Sequence, residues 1–154
     1  MSDTVTTVLV LCTGNSARSV LAEVLINDLG GGRWQAYSAG SHPAGRVNPL
    51  SIAVLNENGH STEGLRSKSW DEFAQAGAPR MDLVITVCDN AAGEVCPIWP
   101  GHPSKVHMGF PDPAAAEGSD EERLAEFRKV YAMIKAKVGR LIELGPQRAE
   151  EVSQ

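Results

Sequence analysis

The chain has few cysteines, few aromatic residues, little positive charge and no long apolar run, and each scarcity closes off a class of protein. Three cysteines are too few, and odd in number, for a disulfide framework; in a reducing compartment such thiols are free, packed or reactive. The apolar run near the start, Val8 to Leu11, is far too short for a signal-peptide core or a membrane span, so a cytoplasmic protein with no membrane partner is expected. The 14 Lys and Arg residues are outnumbered by 19 Asp and Glu, for a net charge of −5. That balance argues against a nucleic-acid or membrane-surface role, which needs a basic face. An anionic substrate would have to be drawn in by a local positive site. There is no internal repeat and no low-complexity segment. What remains is 154 residues, 42% of them hydrophobic, enough for one domain to build a core without metal or disulfide staples. The expected domain runs over residues 1–146, with 147–154 as a frayed C-terminal tail.

The apolar pattern divides the chain into alternating strands and helices. Thr6 to Leu11 is a β-rich run of the kind buried on both faces of a sheet. Ser19 to Leu29 carries Val20, Leu21, Val24 and Leu25 at helical spacing, and Gly30-Gly31-Gly32 stops it. Trp34 to Ala39 reads as a second strand. Asn48-Pro49 supplies an N-cap and a first-turn proline for a helix through Asn58, closed by Gly59. Ser69 to Ala76 suggests a short helix, Asp82 to Val87 a buried strand, and Lys105 to Met108 a short one, after an irregular stretch from Cys88 to Pro103. Ser119 and Glu122 form a capping-box pair opening a helix whose stripe is Leu124, Phe127, Tyr131, Ile134, Val138 and Leu141, closed by Gly145-Pro146. This alternation predicts an α/β fold, a parallel sheet covered on both faces. Ligands of such sheets bind at the carboxyl ends of the strands. Cys12 and Cys88 each follow a predicted strand directly, which puts both thiols on one edge of the sheet.

The segment Cys12-Thr13-Gly14-Asn15-Ser16-Ala17-Arg18 lies between the first strand and the first helix. The first amides of a helix have no internal partners and carry partial positive charge. A short loop can curl so that its N–H groups converge as an anion-binding nest. Gly14 permits a positive φ angle and Asn15 tolerates one. Arg18 adds a planar two-pronged donor for an oxyanion. The same field favours the thiolate of Cys12, making it a nucleophile at neutral pH, and the Ser19 hydroxyl is near enough in sequence to hydrogen-bond it. A free cysteine at a strand end more often merely packs. Here the strand-loop-helix setting, with Gly and Asn inside the loop and Ser after it, favours chemistry.

This loop, with Ser19, resembles the active-site loop of low-molecular-weight protein tyrosine phosphatases and of the arsenate reductases built on their fold. Ser38-Ala39-Gly40 resembles a further shared segment, and the likeness spans most of the chain. It implies a four-stranded parallel sheet in flavodoxin-like order with helices on both faces. It also implies that Asp112, in an Asp-Pro pair in a Gly/Pro-rich loop, is the general acid. The phosphatases usually place tyrosine after that pair; Ala114-Ala115-Ala116 stands here instead, which favours a small inorganic substrate. The arsenate reductases carry two more cysteines in the region of Val87-Cys88 to Cys96-Pro97. By resemblance Cys88 attacks Cys12 after arsenate has been captured, and Cys96 then takes over the disulfide and presents it to thioredoxin. The chain places Asp89 to Val95 between these cysteines, one residue more than the thioredoxin-linked members. A shorter relay through glutathione or mycothiol with a glutaredoxin-like protein is the alternative. No tightly bound cofactor is implied, only an external thiol reductant. Some reductases of this type hold potassium beside the loop, and Asn15, Glu23 and Ser38 stand at matching places, with a further carboxylate replaced near Ser69.

Cys88, Cys96, His102 and His107 do not have the close pairing of structural zinc ligands, so zinc is not expected. The four histidines (His42, His60, His102, His107) read as surface or turn residues, and the three tryptophans as packing groups. Three functions use the same loop: an arsenate reductase, a phosphatase needing only Cys12, Arg18 and Asp112, and a non-enzymatic oxyanion or thiol sensor. Three thiols favour the first, Ala114 disfavours the second and Asp112 disfavours the third.

Overall fold

A computed structural model describes residues 5–87 and 103–152. Cys88, Cys96, Trp99 and His102 lie outside the described residues. Four strands, β1 (Thr6–Leu11), β2 (Trp34–Ala39), β3 (Leu83–Thr86) and β4 (Ser104–His107), form one sheet in the order β2-β1-β3-β4, all neighbours parallel. This is the flavodoxin-like order expected. β1 is central, and its consecutive residues Val8, Leu9, Val10 and Leu11 are all buried. Side chains alternate between faces along a strand, so both faces of the sheet are covered.

The helices are α1 (Arg18–Leu29), α2 (Pro49–Glu57) and α3 (Asp120–Leu144). The Asn48 side chain caps α2 by accepting from the Leu50 amide at 2.9 Å. Ser119 and Glu122 close the capping box of α3. Along α3, Phe127, Tyr131, Ile134, Val138 and Leu141 are buried as the stripe requires, with Val130 beside them and Leu124 only partly covered. The helices are tied together by His60, just after α2, which bridges Asp28 of α1 and the Tyr131 hydroxyl of α3.

Three expectations are corrected. The segment from Ser69 to Ala76 forms only a short 3-10 turn, Trp70–Phe73, capped by Ser69; it has one buried anchor, Phe73, which packs on Tyr37. Of the two residues of the Cys12 loop able to take a positive φ, Asn15 does (46°) and Gly14 does not. Residues 146–152 are not a loose tail: Pro146–Glu151 make a 3-10 turn, and Ala149 and Val152 join the same core as β1. Burial of those two apolar side chains holds the segment against α3 and β4. His60 and His107 are partnered, partly covered side chains, not surface residues: His107 Nδ1 shares a 2.8 Å hydrogen bond with the Thr86 hydroxyl. Among the described residues, no helix is long and apolar enough to cross a membrane.

Candidate active site

β1 delivers Cys12 to the carboxyl edge of the sheet, and α1 begins at Arg18, so the loop between them spans from strand end to helix start. The helix has no side-chain cap at Ala17 and no acidic residue in its first turn. Its amino end is therefore left polar and electropositive, which suits an anion.

The loop is turned so that its carbonyls face the protein. Thr13 O accepts from the His42 amide (3.0 Å), Gly14 O from the Ala44 amide (2.9 Å) and the Ser67 hydroxyl (3.0 Å), and Ser16 O from the Asn48 amide (3.0 Å) and the Ser51 hydroxyl (3.1 Å). No described carbonyl accepts from the amides of Gly14, Ser16, Ala17 or Arg18. Buried backbone donors without partners are costly, so a ring of them beside a thiol marks a place for an acceptor. Gly40, after β2, lies directly beneath the loop: a Cβ there would sit 2.3 Å from the Thr13 carbonyl oxygen and 2.5 Å from that of Cys12. Only glycine permits that approach.

Cys12 is 7% exposed, and with Gly14, Asn15, Ser16, Ala17, Arg18, Asp112 and Ala114 it lines a cavity of about 110 Å³. Drug-sized ligands need roughly 300 Å³ or more, so this space suits a small ion. Arg18 is held by its Nη1–H, which donates to the Phe110 carbonyl at 2.9 Å, while its Nη2 lies 3.7 Å from Asp112 Oδ2. Its buried Nε has no partner among the described residues, a donor left for a ligand oxygen. Asp112 accepts from the Ala114 amide at 3.0 Å and stays about half exposed. The structure thus brings the expected nucleophile, oxyanion donors and acid to one cavity, walled in part by Ala114. A wider depression of about 920 Å³ runs along α3 past Glu57, Arg128, Tyr131 and Arg140; Cys12, Arg18 and Asp112 do not line it.

The chain from residue 7 to residue 152 matches the low molecular weight phosphotyrosine protein phosphatase family. It belongs to that family. Arsenate reductases are prominent among its relatives: those of Halalkalibacterium halodurans and Bacillus subtilis are 41% and 38% identical, each over 88% of this chain and 94% of their own. The crystal structure of an arsenate reductase from Archaeoglobus fulgidus superposes with a TM-score of 0.67 at 31% identity, covering 88% of this chain and 98% of that one. The tyrosine phosphatase Wzb from Escherichia coli K30, solved in complex with sulphate, superposes with a TM-score of 0.69 at 25% identity, covering 90% and 98%.

Behind this phosphatase-family loop lies a polar network. Asn15, fully buried, donates from Nδ2 to Ser19 Oγ (2.8 Å) and to Ser38 Oγ (3.0 Å), and its Oδ1 accepts from the Lys68 amide (2.9 Å). The Ser38 hydroxyl donates to Glu23, and Lys68 Nζ lies 3.8 Å from Glu23 Oε1. Burial pushes the Glu23 carboxyl above the ordinary carboxylate value, and the Ser38 hydroxyl and the Lys68 charge pull it back. Burial likewise lowers Lys68, opposed by Glu23. Ser19 is fixed as an acceptor toward Asn15 and keeps its own proton for donation. Sequence reasoning missed Ser67, Lys68, Asn48 and Ser51 as supports of the loop; their contacts span from 32 to 53 residues, and no local pattern announces them. Gly40 was legible as part of a shared segment but not as a steric requirement.

Proposed function

We propose that the chain reduces arsenate to arsenite. The observation that carries this reading is a single-oxyanion cavity whose acid is followed by Ala114, in a chain about two-fifths identical to arsenate reductases over most of its length. The Cys12 thiolate attacks arsenic, held by the loop amides of Gly14, Ser16, Ala17 and Arg18 and by the Arg18 guanidinium, while the Asn15 amide stays with the Cys12 carbonyl. An As–O bond breaks and the oxygen leaves as water, taking a proton from Asp112. The Cys88 thiolate then attacks Cys12 Sγ: an S–S bond forms, the S–As bond breaks, and its electron pair passes to arsenic, which leaves as arsenite. The two electrons come from the two thiols. Support for Cys88 is that β3 ends beside the nucleophile: Val87, the residue before it, donates its N–H to the Leu11 carbonyl at 3.0 Å. Cys96 accepts the disulfide from Cys88, and an external dithiol, thioredoxin or glutathione with glutaredoxin, reduces it. The work is that of a cytoplasmic detoxification enzyme.

Arsenate-dependent oxidation of each reductant tests the reading. Cys12→Ser is expected to abolish it, and Cys88→Ser to stop turnover after one arsenate is bound. Full activity in Cys88→Ser would overturn the relay. Brisk hydrolysis of an aryl phosphate without arsenate reduction would show a phosphatase, and oxyanion binding with neither activity a sensor.

A further inference from the structure

Glu23 is a largely covered carboxylate under the loop, its side chain 15% exposed, and a charge so far withdrawn from water needs a countercharge. The oxygens around it are engaged within the protein, and a cation already stands among them. The Asn15 Oδ1 is occupied by the Lys68 amide, and Ser38 Oγ gives its proton to Glu23 while accepting from Asn15. The Lys68 ammonium already stands at the carboxylate, with its side chain only 9% exposed. Its other contact is the Arg66 carbonyl at 3.3 Å. The Arg66 guanidinium is turned outward, paired with Glu72 at 2.6 Å and 3.1 Å. Among the described residues, Lys68 is the cation that faces Glu23. An ammonium group carries the same charge as an alkali cation and donates hydrogen bonds where the metal would accept oxygen lone pairs.

We propose that Lys68 is a built-in cation that replaces potassium beneath the loop. Its ammonium supplies the charge that Glu23 requires, and Glu23 then orders Ser38, Asn15 and Ser19 in turn. Lys68 is thus a positioning residue, acting on Cys12 through Asn15 and Ser19. Its backbone does the same work twice over, since the Lys68 amide binds Asn15 and its carbonyl accepts from the Gly40 amide at 2.9 Å. Replacement of the side chain leaves those two backbone bonds in place, so the charge can be tested apart from the scaffold. The inference rests on the proposed use of the loop to hold an oxyanion, and not on arsenate reduction itself.

The test compares wild type, Lys68→Ala and the double variant Lys68→Ala/Glu23→Gln in buffers whose cation is choline, sodium, potassium or ammonium. Two readouts are followed: sulfate protection of Cys12 against alkylation, and arsenate turnover. The wild type is expected to behave alike in choline and potassium. Lys68→Ala should lose about tenfold in sulfate affinity in choline, the size typical when a group supporting a binding shell is removed. Potassium or ammonium should restore it. The double variant, which has no charge to balance, should not respond to either cation. Activation of wild type by potassium overturns the proposal, as does undiminished binding by Lys68→Ala in choline or a loss that no cation restores. Should Lys68→Ala fail to fold, the wild-type comparison decides alone. Failure of arsenate turnover in wild type with intact sulfate protection would count against the reductase reading and leave the protection assay to judge Lys68.

Discussion

Gly40 and Asp112 show how sharply single residues are specified at this site. A methyl group at position 40 would meet two loop carbonyls well inside contact distance. Gly40→Ala is therefore expected to cost about 1–3 kcal/mol by overpacking, read as a lower midpoint in urea unfolding, and to weaken oxyanion binding in parallel because the atoms displaced belong to the loop. Asp112 is held by the Ala114 amide and by Arg18 but not enclosed. Asp112→Asn keeps the hydrogen bond from Ala114 and removes the proton donor, so the first step should slow by about 10²-fold while sulfate still protects Cys12; equal rates would remove Asp112 from the chemistry. Cys12 and Arg18 could be named from the sequence because a strand, a short polar loop and a helix start are local signals, whereas Asp112 is legible only through the resemblance of its Asp-Pro pair to the family's. The residues that hold the loop in shape could not, because each is recruited from far along the chain.

At the scale of elements, the strands and long helices followed their local signals closely. β1 and β2 have the predicted bounds, and α2 and α3 begin at the predicted caps. The reason is that burial period, capping side chains and glycine stops all lie within a few residues of one another. The segment around Trp70 went differently: with Phe73 as its one buried side chain, it lacks the repeated apolar contact that stabilises a full helix. The capping box of α3 is open to a direct test. Ser119→Ala removes the acceptor for the Glu122 amide, held at 3.1 Å, and is expected to destabilise the protein by about 1 kcal/mol without changing arsenate kinetics. A change in turnover would mean that the start of α3 is coupled to the Asp112 loop that precedes it.

For the whole molecule, the sheet gathers its chemistry on one edge and closes its core at the other end of the chain. Polarity alone suggested a loose tail after Gly145-Pro146, but two small apolar side chains, Ala149 and Val152, are enough to seat it. Val152→Ala should therefore cost about 1–2 kcal/mol, the worth of the buried groups removed, and removal of residues 146–154 should cost more, measured by urea unfolding against wild type. The loop carbonyls held against the protein have one more consequence. Their partners come from His42, Ala44, Asn48, Ser51 and Ser67, all later in the chain than Cys12. During synthesis the thiol therefore leaves the ribosome well before the segment that shapes its loop. Until those residues have docked, the loop lacks the partners that hold its carbonyls, so its anion-binding shape is a product of the completed fold.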